Sequence, residues 1–149
     1  MKTLIFFLAA CLVSCAPSRT IGIEEPAAPW LAQAVDRAIF FWVQKPRQIS
    51  FILVENWQEA DTVIRMSDEM PEHAAGFYSM GRIGIRPRVE EWATIDQICI
   101  VSHELGHSRG LDHVEDDDSL MSPVTSGFRE DCSWSAFDQR EFCQTNDCG

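Results

Sequence analysis

Apolar positions over residues 30–44 recur at helical spacing, with Leu31, Val35, Ala38, Ile39 and Trp42 on one face. That pattern predicts an amphipathic helix, and Pro46 follows its end. Residues 49–54 form a short, mostly apolar run, which reads as a buried strand. Residues 60–66 alternate about Val63 and Ile64 and predict a second strand. Two more are expected over 74–80 and 82–86, joined by a tight connection at Gly81. A helix begins at Ala93, with Ile95, Ile98, Ser102 and Leu105 on its buried side. Ser135-Ala136-Phe137-Asp138 has the form of a capping box and opens a last helix that reaches Gln144. The order helix, strands, helix, loop, helix predicts an α+β domain with most of its sheet ahead of the second helix.

The first residues carry a different pattern. Lys2 precedes an apolar run over residues 4–13 that is too short to span a bilayer, which is the layout of an export signal. Leu12-Val13-Ser14-Cys15 resembles the lipobox of bacterial lipoproteins, whose cysteine becomes the lipidated first residue. Leu8-Ala9-Ala10-Cys11 fits the same pattern behind a shorter apolar stretch, and an ordinary secretory signal is the alternative. The expected division is a signal over 1–14, a Pro-containing tether over 15–29 and a folded domain over 30–149. The expected location is a bacterial membrane, facing periplasm or cell surface and reached only through lipid on Cys15; secretion is the other outcome.

Composition adds limits. With 149 residues, 46% of them apolar and 23% charged, the chain suits a single globular domain, expected as a monomer. A net charge of −11 argues against nucleic-acid partners and against attraction to anionic lipid. Export into an oxidising compartment makes disulfides among Cys99, Cys132, Cys143 and Cys148 the expectation. A helix rising roughly 1.5 Å per residue between Cys132 and Cys143 keeps those two apart. The scheme left is Cys99 with Cys132 and Cys143 with Cys148; free, buried thiols are the alternative.

The chemistry concentrates in His103-Glu104-Leu105-Gly106-His107-Ser108-Arg109-Gly110-Leu111-Asp112-His113, which holds three of the four histidines. Residues four apart share a helix face, so His103 and His107 project together, with Glu104 beside them. Gly110 suits the left-handed backbone that ends a helix, and the turn returns His113 as a third ligand. Three protein ligands leave one zinc position open, the catalytic arrangement. A chance cluster is the bland reading, and five specified residues at fixed spacing weigh against it. His73 lacks a partner at metal spacing and reads as a loop histidine. The acidic run 115–118 offers oxygen atoms of the kind calcium takes, although a solvated loop is the commoner outcome.

This motif, followed by Ser119-Leu120-Met121-Ser122-Pro123, resembles the metzincin zinc endopeptidases, and Gly110-Leu111-Asp112-His113 with its short gap to Met121 is most similar to the matrixin branch. The resemblance implies a twisted mixed sheet with an active-site helix and a C-terminal helix beginning near Ser135. It implies zinc on His103, His107 and His113, Glu104 as general base and proton shuttle, and Met121 in a structural turn beneath the metal. It also implies an edge strand, Gly76, Phe77, Tyr78, Ser79 and Met80, against which an extended polypeptide substrate pairs. The chain departs from the matrixin pattern at Ser122, in lacking a Pro-Arg-Cys-Gly segment and the histidines of a structural zinc, and in its shortness. The function expected is peptide-bond hydrolysis by zinc-activated water. A surface lipoprotein that keeps the fold and binds without turnover is the alternative; a pure binder has no need of Glu104. A hydrolase of non-peptide amides is also open.

Overall fold

The computed structural model describes residues 18–45, 50–116, 118–123, 132 and 134–145. Five strands form one mixed sheet: β1 (Arg19–Ile23), β2 (Phe51–Leu53), β3 (Thr62–Met66), β4 (Gly76–Ser79) and β5 (Arg82–Ile85). Their spatial order is β2-β1-β3-β5-β4. β1 lies parallel to both β2 and β3, β3 lies parallel to β5, and β4 closes one edge antiparallel to β5. Among the described residues three α-helices accompany the sheet: α1 (Pro29–Val43), α2 (Thr94–Ser108) and α3 (Ala136–Thr145). The α+β architecture with a mixed sheet is the one expected.

α1 starts with Pro29 in its first turn, where a missing N–H is harmless. Leu31, Ala34, Val35, Ala38 and Trp42 form its buried stripe. Ile21, Ile64, Ile83 and Ile85 supply the sheet's contribution to the core, and Ile100, Val101 and Leu105 supply that of α2. α1 and α2 pack on each other, α1 also touching β2 and α2 touching β4 and β5. Trp42 knits these layers. Its ring meets Phe51 and Trp134 edge-on, and its indole N–H donates to the Ser102 carbonyl of α2 at 3.2 Å. The helix that carries the histidines is thereby clamped one residue before the first of them.

Two boundaries need correction. The tether expected over 15–29 contains β1, a central strand of the sheet, so the folded domain begins well before residue 30. Arg19–Ile23 is short and lies between Pro17 and Pro26, so local pattern hides it; pairing to strands on both sides makes it a strand. Its start is pinned by Asp61, whose carboxylate accepts from the Thr20 amide and hydroxyl, both at 2.8 Å. Met80 is the second correction. It leaves the expected strand 74–80 and forms the β4–β5 turn with Gly81, both at positive φ (46° and 78°), as a two-residue hairpin of this twist requires.

A disulfide joins Cys99 of α2 to Cys132, with 5.1 Å between their Cα atoms. Cys143 is disulfide-bonded as well, and Cys148 lies outside the described residues, as do Cys15, Cys11 and the whole export-signal segment. Among the described residues no helix is long and apolar enough to cross a membrane.

Candidate metal centre

α2 ends in a Schellman motif built on Gly110. The Gly110 amide donates to the His107 carbonyl at 2.9 Å and the Leu111 amide reaches back to the Gly106 carbonyl at 3.2 Å. Gly110 sits at φ 82°, the left-handed conformation that reverses the chain. His113 therefore returns over the face from which His103 and His107 project. The three Nε2 atoms form a triangle with sides of 3.0, 3.1 and 3.2 Å.

Proton positions make this triangle informative. His103 Nδ1 lies 2.7 Å from the Leu120 carbonyl and His107 Nδ1 lies 2.7 Å from the Leu111 carbonyl. A carbonyl only accepts, so both Nδ1 atoms carry the proton and both Nε2 atoms present lone pairs. Two nitrogens at roughly 2.05 Å from one tetrahedral ion stand about 3.3 Å apart, so the triangle fits a single zinc-sized cation. Among the described residues this triad is the one group able to hold a metal ion. The loop at 115–118, of which residue 117 lies outside the described residues, adds no such group.

Glu104 sits beside the triad and is 3% exposed. Its Oε2 is buried and makes no hydrogen bond among the described residues. Burial pushes the Glu104 carboxyl up to about 8. A cation on the triad acts the other way and favours the carboxylate. Burial likewise lowers His107, partly offset by its bond to the Leu111 carbonyl, which favours the charged ring. Glu104 is buried and His107 half-buried, which strengthens polar interactions within the site.

A cleft of about 400 Å³ opens on these groups, with Gly76, Phe77 and Tyr78 of β4 on one side and Glu104, His107, Leu111, Asp112 and His113 on the other. β4 is the free edge of the sheet at this cleft. Gly76 approaches Glu104 so closely that a Cβ there would lie 2.6 Å from Oε1. Met121 lies under the helix, its sulfur 2.6 Å from where a Gly106 Cβ would stand, and is 1% exposed. Thus the three histidines, Glu104, Met121 and residues 76–78 converge, whereas Ser79 pairs with Arg82 beside the hairpin and Met80 stands at its tip, 97% exposed.

A matrixin family model matches residues 48–141. The chain belongs to the matrixin family. Membership places this matrixin among zinc-dependent peptidases, with the triad as the group able to hold the metal. Its fold is similar to that of myroilysin, with TM-scores of 0.63 and 0.62 in two structures. The first shares 13% identity over 88% of this chain and 93% of that one, the second 14% over 87% and 83%. An archaemetzincin from Methanopyrus kandleri is similar at a TM-score of 0.53 and 15% identity, over 86% of this chain and 94% of that one. Among curated proteins no sequence matches.

Sequence reasoning missed three contributors to the site. The Leu111 and Leu120 carbonyls carry no side-chain signal at all. Asp138 was legible only as a helix cap, and Ser135 does exchange capping bonds with it at 2.8 and 3.1 Å. Yet Asp138 is fully buried and also accepts from the Ser119 hydroxyl and the Leu120 amide, tying α3 to the turn beneath the metal site.

Proposed function

We propose that this matrixin is an exported zinc endopeptidase that hydrolyses extended polypeptides. The observation that carries the reading is the convergence of three histidine nitrogens, two with assigned lone pairs, beside a buried carboxyl group whose Oε2 has no hydrogen-bond partner among the described residues. His103, His107 and His113 would hold the ion, and zinc supplies Lewis acidity that polarises the scissile carbonyl and acidifies water. Glu104 accepts the proton of the attacking water and returns it to the leaving amine. The outward main-chain groups of β4, an edge strand of the described sheet, would align the peptide across the cleft by strand addition, and the peptide's side chains would then meet Phe77, Tyr78 and Asp112. Met121 supports the floor and takes no part in proton transfer.

Lipid on Cys15 would hold the enzyme at a bacterial membrane. Because β1 starts at Arg19, only residues 16–18 separate the anchor from the domain. At most about 3.6 Å per residue, that leaves the domain within roughly 15 Å of the lipid attachment.

The test is incubation of the exported protein with a peptide library, with and without a zinc chelator, alongside Glu104→Gln. Chelator-sensitive cleavage that Glu104→Gln abolishes while zinc stays bound supports the reading. Zinc binding without cleavage of any peptide refutes it. Cys15→Ala, followed by membrane fractionation, decides the anchor separately.

A further inference from the structure

The two histidines of α2 rest on different supports. His107 donates to Leu111, a carbonyl of its own helix-ending turn, whereas His103 donates to Leu120, which belongs to a separate stretch of chain. The Leu120 carbonyl shares a peptide group with the Met121 amide, and that amide donates to Ser119 Oγ at 2.9 Å. The Ser119 hydroxyl in turn donates its single proton to Asp138 Oδ1 in a short hydrogen bond. Every bond in this series therefore points from His103 towards Asp138.

We propose that Ser119 and Asp138 are positioning residues that tune His103 as a zinc ligand through the Leu120–Met121 peptide group. The negative charge of Asp138 polarises the Ser119 hydroxyl, which becomes a better acceptor for the Met121 amide. The amide then makes the Leu120 carbonyl a stronger acceptor for His103 Nδ1–H, raising electron density at Nε2 and holding the ring in place. Burial keeps the series effective: Asp138 and Ser119 are 0% exposed, Met121 1%, Leu120 2% and His103 5%. Two further donors hold the carboxylate, the Leu120 amide at 3.2 Å and the Ser135 amide at 2.8 Å, and it lies in the first turn of α3, where a helix favours negative charge. His103 thus has a carboxylate behind it at three hydrogen bonds' remove, and His107 has none in this series. The inference rests on the triad being a zinc site.

The experiment compares wild type, Ser119→Ala, Asp138→Asn and the double variant as full exported domains. Two quantities are read: zinc affinity by chelator competition, and the Nδ1 proton resonances of His103 and His107 by NMR with and without zinc. Ser119→Ala is expected to move the His103 resonance upfield, leave that of His107 in place and weaken zinc binding about 10-fold. Asp138→Asn is expected to do the same, with no further shift in the double variant, because both act through one series. A His103 resonance that stays put, or two resonances that shift together as general loosening would make them, overturns the proposal. If either variant fails to fold, the other single variant decides. If wild type takes up no zinc, the zinc reading fails and the resonances of the metal-free protein decide the relay alone.

Discussion

Gly76 offers the most direct probe of how β4 and Glu104 share space. A Cβ at this position would stand 2.6 Å from Glu104 Oε1, 2.8 Å from Cγ and 2.9 Å from Cδ, against 3.4 Å for ordinary contact. Gly76→Ala must therefore displace the carboxyl group, or push β4 away from it, by about 0.8 Å (3.4 less 2.6). A misplacement of about 1 Å in a reacting group lowers the rate about 100-fold, equivalent to about 2.7 kcal/mol of barrier. The substitution itself suits a strand, where glycine is the weaker residue, so folding stability should change by less than about 1 kcal/mol. The assay is kcat and KM on a cleaved peptide, with zinc content and the urea midpoint measured on the same preparation. We expect kcat to fall about 100-fold while zinc content and midpoint hold. Wild-type kcat in Gly76→Ala would refute the argument. A loss confined to KM would assign Gly76 to substrate pairing instead.

Three further outcomes follow from the same geometry. Zinc at a hundredfold excess over its Kd should add about 2.7 kcal/mol to unfolding stability and little to His113→Ala; equal gains in calorimetry would remove His113 from the site. Replacing Cys99 and Cys132 together by alanine should lower stability by about 3–4 kcal/mol, since the bridge closes a loop with sequence separation 33; an unchanged denaturant midpoint would contradict this. Hydrogen bonds from Thr20 hold the Asp61 carboxyl below its ordinary 3.8. A depressed folded value stabilises above the unfolded one and is lost as pH falls through the folded one, so the advantage of wild type over Asp61→Asn should shrink below about pH 3.8. A stability difference that stays constant from neutral pH to pH 3 would rule out Asp61 as the source.

Helices and strands with strong periodicity were legible because each carries its burial pattern within itself. Leu31, Val35, Ala38 and Trp42 announce α1 wherever the rest of the chain goes, and the spacing of His103, Glu104 and His107 announces a shared face. β1 shows the limit. Its five residues include one glycine and only two large apolar side chains, and it becomes a strand because β2 and β3 supply ladders on both sides. Those ladders arise from residues 32 and 41 positions downstream (Arg19 to Phe51, Ile21 to Thr62), which no local window sees. Met80 fails for the opposite reason: its side chain fits a strand, but the hairpin needs positive φ at two successive residues, and Met80 occupies the first of them.

The same distinction separates the ligands from what makes them ligands. A histidine at the right spacing has two nitrogens, and spacing alone does not choose between them. The choice is made by the carbonyls of Leu111 and Leu120, main-chain atoms whose positions follow from the Schellman turn at Gly110 and from the turn that Asp138 anchors. Were either turn to open, the corresponding ring could carry its proton on Nε2 and lose its lone pair towards the metal, with every motif residue still present. The eleven-residue signature therefore specifies a metal site only together with the Gly110 turn and the Ser119–Asp138 contact. The second of these lies wholly outside the motif, which is why variants there test the site without touching a ligand.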